Sequence, residues 1–361
     1  MEQAHALAAI AEGTTSPNPR VGCVIVNAAG EVVGAGFHRA PGSPHAEAAA
    51  LAQAGERARG ATAYVNLEPC AHHGRTPPCA DHLIESGVRR VVASMVDPNP
   101  RVDGRGFQRL RDAGIEVEVG LLEEEARRLN EAFCLAHEKG RPLVTLKAGA
   151  SLDGMLSAQA GVSQWITGPL ARAFAHRLRM RHDAVLVGAG TVRADDPSLT
   201  VRLPGVEAHR LRAVIAPRLD LDPRAKLFQG ESAAPVLLYT RESEVETGRE
   251  RFEGLATVIG LPAAGDGLDL RRLLEDLLSR QVMSVLVEGG GATVARFLEA
   301  GLADRMALFQ APLLIGSDGG TPLVDGQAVS RPAAGWRMTD TRRIALGPDL
   351  LTLGRLVQGE E

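Results

Sequence analysis

His45-Ala46-Glu47 and, further along, Leu67-Glu68-Pro69-Cys70-Ala71-His72-His73-Gly74-Arg75-Thr76-Pro77-Pro78-Cys79 are the stretches on which this chain turns. One histidine and two cysteines offer zinc a nitrogen and two sulfurs, leaving the fourth position of a tetrahedral ion open. Zinc sites with three protein ligands are typically catalytic, because water fills the open position and its pKa falls to about 7. Glu47, two residues from the histidine, supplies a proton carrier beside that position. His45 and Cys79 each follow a proline at an expected helix start. Both therefore stand at helix N-termini, where the backbone dipole favours negative charge and helps hold Cys79 as a thiolate. Positions i and i+2 do not face each other within a helix. At a helix tip aimed into the site, His45 can meet the metal while Glu47 stands beside the metal-bound water. A structural zinc knot is the alternative, with His72 or His73 as fourth ligand, but it leaves Glu47 without a role.

The chain has 361 residues, enough for two domains of ordinary size. With 45% hydrophobic and 23% charged residues it reads as globular. A net charge of −4 and a pI near 6.2 give no basic face, which argues against a nucleic-acid partner. Of the four cysteines, Cys70 and Cys79 belong to the zinc pattern. Cys23 lies in the apolar run Val21–Val26 and Cys134 in a helical stretch, so both read as buried thiols. No disulfide framework is expected, and a reducing compartment fits. Neither a signal peptide nor an apolar run of membrane-spanning length is visible, so the expected location is the cytoplasm, away from membranes. Lysine occurs only as Lys139, Lys147 and Lys226.

Residues 21–38 predict a hairpin turning at Asn27-Ala28-Ala29-Gly30. Helices are predicted at Pro44–Gly55, Pro78–Gly87, Gly106–Ala113 and Leu122–His137, and strands at Ala61–Leu67, Val88–Met95 and Ile115–Val119. The alternation implies an α/β layered fold. Glu138-Lys139-Gly140-Arg141-Pro142 is a charged break with a helix stop, which divides the chain into domains 1–140 and 141–361. Beyond it, strands are predicted from Leu143 and at Ala184–Val187, Leu211–Ile215, Val236–Tyr239 and Val282–Val287. Helices are predicted near Pro169–Met180, Leu268–Arg280 and Ala292–Ala300. Residues 240–267 are the least legible part.

The His-x-Glu segment followed by Pro-Cys and a second cysteine is the pattern of zinc nucleobase deaminases, in which the glutamate is not a ligand. Their usual short Cys-x-x-Cys is absent. Further segments narrow the resemblance: Ser16-Pro17-Asn18-Pro19-Arg20-Val21-Gly22, Gly36-Phe37-His38, Asp97-Pro98-Asn99-Pro100 and Gly104-Arg105-Gly106. Together with the long loop between Cys70 and Cys79, they resemble the bifunctional riboflavin-biosynthesis deaminase/reductase family. The resemblance implies a cytidine-deaminase-like α/β domain acting on 2,5-diamino-6-(5-phospho-ribosylamino)pyrimidin-4-one. Attack would fall on ring C2, with Glu47 taking the water proton and passing it to the leaving amine. By similarity Asn18, His38, His72 and Arg75 hold this substrate.

In the second half, Gly188-Ala189-Gly190 lacks a third glycine on dinucleotide-fold spacing and is weak alone. Glu288-Gly289-Gly290-Gly291-Ala292-Thr293 is stronger, because a β-rich run enters it and an apolar helix leaves it, so the helix N-terminus can cradle a pyrophosphate. A plain strand-to-helix turn is the alternative. Lys147-Ala148-Gly149-Ala150-Ser151-Leu152-Asp153-Gly154, Ser163-Gln164-Trp165-Ile166-Thr167 and Gly190–Arg202 are similar to the reductase half of the same family. That similarity implies a fold like dihydrofolate reductase and hydride transfer from NADPH to C1′ of the ribosyl group, giving ribityl. It places Ala150, Trp165, Thr191, Asp195 and the turn Gly290, Gly291, Ala292, Thr293, Val294, Ala295 and Arg296 against the cofactor. Ser163, Arg179, Leu199, Arg202 and Glu288 would meet the substrate, the arginines suiting its phosphate through their planar forks. Lys147, a scarce lysine in an apolar strand, is a candidate proton donor or substrate contact. Met155 replaces the family's basic residue after Leu-Asp-Gly, and Ala216-Pro217 replaces its polar strand end. Those departures allow a second possibility, a deaminase whose other half only binds substrate or a partner. Relatives imply a homo-oligomer.

Overall fold

Asn27 closes the first hairpin, its side-chain oxygen accepting from the amides of Ala29 at 3.0 Å and Glu31 at 2.9 Å. The computed structural model describes residues 1–71, 78–158, 165–206, 208–229, 235–326 and 328–359. Within it the hairpin joins β1 (Gly22–Val26) to β2 (Val32–Phe37). Helix α1 (Glu2–Ile10) packs on β1, and α2 (Ala46–Ala54) lies across β2 and β1. A Cβ on Gly34 would stand 2.2 Å from the carbonyl oxygen of Ala50, and one on Gly36 would stand 2.7 Å from that of Ala46. Glycine in the strand and alanine in the helix therefore permit backbone-to-backbone seating. That seating fixes α2, and with it His45 at the N-cap.

The first unit continues with β3 (Thr62–Val65), α3 (Cys79–Glu85), β4 (Arg90–Ala93), α4 (Arg105–Asp112) and β5 (Glu116–Val119). Strand order is β2-β1-β3-β4-β5, with β1 antiparallel to both neighbours and β3, β4 and β5 parallel. Cys23, Ile25, Ala63, Val65, Leu83, Val91, Phe107 and Leu110 fill its core. One helix is predicted from Leu122 to His137, but the structure breaks it at Asn130 into α5 (Glu123–Leu129) and α6 (Glu131–Lys139). The physical reason is the buried Asn130 side chain, which accepts from the Arg20 amide at 2.8 Å and donates to the Arg20 carbonyl at 3.0 Å. The chain divides into compact units Met1–Arg141 and Pro142–Glu361.

The second unit is built on β6 (Leu143–Ala150), β7 (Met155–Ser157), α7 (Pro169–Arg181), β8 (Ala184–Gly188), α8 (Ala189–Asp195), β9 (Leu211–Ile215), β10 (Val236–Arg241), α9 (Val245–Arg251) and β11 (Thr257–Leu261). There follow β12 (Ala263–Ala264), β13 (Gly267–Leu268), α10 (Leu270–Ser279), β14 (Ser284–Val287), α11 (Gly291–Glu299), β15 (Arg305–Gln310), β16 (Thr321–Pro322), β17 (Arg337–Leu346) and β18 (Asp349–Val357). The large sheet runs β11-β10-β9-β8-β14-β6-β15-β18-β17. It is parallel from β11 to β15 and antiparallel through β18 and β17. Its central strands are continuous apolar runs, as strands covered on both faces require. After moving outward from β8 to β11, the chain returns and inserts β14 between β8 and β6. Ligands of open α/β sheets bind outside the carboxyl ends of strands where the order reverses in this way.

The illegible stretch 240–267 contains α9, β11 and a short hairpin. The hairpin of β17 and β18 has no counterpart among the predicted elements. Arg337, Arg342 and Arg343 interrupt an exposed edge strand, so it carries no clean apolar alternation.

Candidate active sites

In the first unit the three predicted ligands converge. His45 Nδ1 lies 3.1 Å from Cys79 Sγ and 3.7 Å from Cys70 Sγ. A tetrahedral zinc with ordinary Zn–N and Zn–S bonds separates such atoms by about 3.5 Å, so the donor set fits the ion. Among the described residues this is the cluster able to hold a metal. His45 caps α2 and Cys79 opens α3, as their prolines predict. The N-terminus of α3 also serves Cys70. The Cys79 amide donates to Cys70 Sγ at 3.3 Å and the Ala80 amide to the Cys70 carbonyl at 3.2 Å. Hydrogen bonding between the two thiols pulls the Cys70 pKa down and pushes that of Cys79 up.

Glu47 is 3% exposed, and burial raises its carboxyl to about 7. It stands within hydrogen-bonding reach of Cys79. Near neutrality such a group can both take and return a proton. Asn18 and His38 are brought to the same place. Asn18 Nδ2 and His38 Nε2 are 3.1 Å apart, and the His38 ring meets the His45 ring edge-on at 5.4 Å. Burial lowers the His38 pKa, leaving it a neutral hydrogen-bonding partner. His72 and Arg75 lie outside the described residues.

In the second unit a cleft of about 1420 Å³ opens where the strand order reverses. Its walls include Lys147 from β6, Gly188 from the end of β8, Pro217 beyond β9, and the Glu288–Thr293 turn between β14 and α11. Trp165, Thr191, Asp195, Arg179, Leu199, Arg202 and Arg296 also line it. Ala150, Val294 and Ala295 do not line it and are buried behind it. The Ala150 carbonyl accepts from the Ala311 amide at 2.9 Å. Ser163 lies outside the described residues. Trp165 is 77% exposed, with the Arg172 guanidinium 4.6 Å from its ring centre.

Arg179, one of the two arginines expected at the substrate phosphate, lines the cleft and also bonds within the chain. Arg179 Nε and Nη2 grip the Glu288 carboxylate at 2.5 and 3.0 Å, while Nη1 donates to the Thr200 carbonyl at 2.9 Å. Three of its five N–H donors are thus engaged within the chain. Lys147 Nζ completes the cluster at 3.7 Å from Glu288. Burial alone would raise Glu288, but Arg179 and Lys147 outweigh it and hold the carboxyl down to about 2. Arg202 remains exposed on the cleft, 3.3 Å from Thr200 Oγ1. The backbone between these groups is strained: Asp196 and Leu199 adopt φ of 41° and 56°. The glycine turn fits a pyrophosphate. A Cβ on Gly290 would meet nothing within 4 Å, and first-turn amides of a helix have no intrahelical partner. Met155 is buried, outside the lining residues.

These features define a zinc deaminase joined to a dinucleotide-dependent reductase. Comparison with known proteins agrees with both halves. A family model described as the cytidine and deoxycytidylate deaminase zinc-binding region matches residues 1–95, and one described as the RibD C-terminal domain matches residues 142–352. The riboflavin biosynthesis protein RibD of Aquifex aeolicus is 45% identical over 316 residues, covering 88% of this chain and 87% of that one. The Escherichia coli protein of the same name is 43% identical over 359 residues, covering 97% and 96%. Solved structures include Acinetobacter baumannii RibD, at TM-score 0.88 and 38% identity, covering 99% of this chain and 98% of that one. A Thermotoga maritima structure, titled diaminohydroxyphosphoribosylaminopyrimidine deaminase/5-amino-6-(5-phosphoribosylamino)uracil reductase, follows at TM-score 0.85 and 36% identity, covering 98% and 97%. The chain belongs to the RibD family, the bifunctional deaminase/reductases of riboflavin biosynthesis. It is an enzyme with a cytidine-deaminase-like half that takes zinc and a dihydrofolate-reductase-like half that takes NADPH.

Proposed function

We propose that residues 1–140 deaminate 2,5-diamino-6-(5-phospho-ribosylamino)pyrimidin-4-one at ring C2 and that residues 141–361 then reduce the ribosyl group of the product to ribityl. The observation that carries this is the convergence of His45, Cys70 and Cys79 beside a buried glutamate whose pKa lies near 7. Zinc, when bound by those three side chains, supplies a Lewis acid and acidifies water. Glu47 takes a proton from water and returns it to the leaving amine. Asn18, His38, His72 and Arg75 hold the pyrimidine nucleotide.

NADPH, when bound, supplies hydride for C1′. Gly290, Gly291, Ala292 and Thr293 receive its pyrophosphate, with Trp165, Thr191, Asp195 and Arg296 along the same cleft and Ala150, Val294 and Ala295 supporting the walls. Lys147, Ser163, Arg179, Leu199, Arg202 and Glu288 meet the substrate, the two arginines at its phosphate. Arg179 keeps Glu288 ionised and aimed at Lys147. The same proposal includes a cytoplasmic homo-oligomer. Four unbridged cysteines fit a reducing compartment. No described helix is long and apolar enough to cross a membrane. Leu152, Leu313 and Leu314 form an exposed apolar group on the second unit, suited to another copy.

Two titrations test the sites separately. Chelation should abolish ammonia release and added zinc should restore it; activity that survives full metal removal contradicts the first site. NADPH should quench tryptophan fluorescence saturably, with the signal lost in Trp165→Phe. Absence of binding would contradict the NADPH site and reduce the second half to one that holds only substrate or a partner.

A further inference from the structure

Glu68 precedes the Pro69-Cys70 ligand segment and is 4% exposed, yet no cation pairs with it among the described residues. Its carboxylate is occupied instead by backbone amides from far along the chain. Oε2 accepts from the amides of Asp97 at 3.1 Å and Gly104 at 2.9 Å, and Oε1 accepts from that of Gly106 at 2.8 Å. Gly104 caps α4 and Gly106 lies in its first turn, so two of these donors are otherwise orphaned helix amides. The backbone is fitted to the same contact: a Cβ on Gly106 would fall 1.9 Å from the Pro69 carbonyl oxygen. The Glu68 amide also donates to the Met95 carbonyl at 3.1 Å. On the other side of Cys70, the α3 amides of Cys79 and Ala80 hold its sulfur and carbonyl.

We propose that Glu68 is a positioning residue. Clamped by the N-terminus of α4 and the Asp97 amide, it sets where Cys70 presents its sulfur to His45 and Cys79. The Cys70 segment is thereby suspended between two helix N-termini, with α4 holding the residue two before the ligand and α3 holding the ligand. A carboxylate suits this post because both oxygens accept, whereas an amide would turn an NH2 group toward one of the three donors. Groups that orient metal ligands from behind typically change metal affinity or activity by about 10–100-fold when replaced.

The inference rests on His45, Cys70 and Cys79 as zinc ligands, and the experiment keeps the two apart. Zinc affinity and the visible absorption of the cobalt-substituted full chain are measured for the wild type, Glu68→Gln and Gly106→Ala. Cobalt bands report ligand geometry, which a loss of fold stability alone does not alter. The expected result is cobalt spectra altered in both variants and zinc binding weakened by about 10–100-fold, with circular dichroism unchanged and NADPH binding retained. A wild type that binds neither metal refutes the ligand set itself. Wild-type binding with unchanged spectra and zinc affinity in both variants overturns the role of Glu68 and leaves the ligand set standing. If Glu68→Gln does not fold, Glu68→Asp is read in its place. Failure of both Glu68 variants to fold at any zinc concentration also overturns the proposal, because Glu68 would then serve the fold rather than the metal.

Discussion

Glu47 is buried beside His45, Cys70 and Cys79, so replacing it by glutamine removes a proton carrier while leaving the volume filled. Glu47→Gln should lower deamination by about 10²–10⁴-fold while bound zinc and the reduction of already deaminated substrate by NADPH stay unchanged, measured as ammonia release, metal content and NADPH oxidation. An equal loss of zinc would mean that Glu47 acts as a ligand. Glu288 gives a pH prediction of opposite character. Folding lowers its pKa from 4.5 to about 2, so its contribution is complete above about pH 4.5 and disappears as pH falls through about 2. The shift corresponds to about 3 kcal/mol, and Arg179→Met should flatten this acid limb in equilibrium unfolding of the second unit. Chemistry concentrated in short segments was readable at this scale: His45, Glu47, Cys70 and Cys79 announce themselves by type and spacing. The Arg179–Glu288 pair, 109 residues apart, was not. Each residue alone looks like a substrate contact, and only the fold reveals that they satisfy each other.

The turn between β14 and α11 separates two glycines by what surrounds them. A Cβ on Gly290 meets nothing within 4 Å, whereas one on Gly291 would lie 2.3 Å from the Pro322 carbonyl oxygen. Gly290→Ala should therefore keep the thermal stability and weaken NADPH by about tenfold, equivalent to about 1.4 kcal/mol, by occupying cleft space. Gly291→Ala should lose about 1–3 kcal/mol of stability through overpacking. Melting curves and NADPH titration distinguish the two, and identical behaviour would contradict this placement of the turn. Elements with strong periodicity or glycine-rich ends were legible, β6, β8, β14 and α11 among them. The helix broken at Asn130 was not, because the break depends on Arg20, 110 residues away. Nor was the β17–β18 hairpin, whose exposed charged face looks like loop sequence.

The chain divides at Arg141 and Pro142 into two compact units, each with its own buried clusters and its own candidate site. Zinc should stabilise only the first unit. At free zinc a hundredfold above Kd the gain is about 2.7 kcal/mol, on the order of 10 °C for a domain of this size. Chelation should therefore move one calorimetric transition and leave the NADPH-sensitive one in place. A single transition that shifts with both ligands would instead show one cooperative unit. The most direct test of the whole molecule is to give the zinc-loaded protein the pyrimidine substrate with NADPH and follow ammonia and NADPH together. Ammonia release followed by stoichiometric NADPH oxidation is the predicted result, with Glu47→Gln stopping both. Ammonia without NADPH oxidation would contradict the bifunctional reaction and reduce the second half to a binding domain, and neither signal would contradict the proposed substrate.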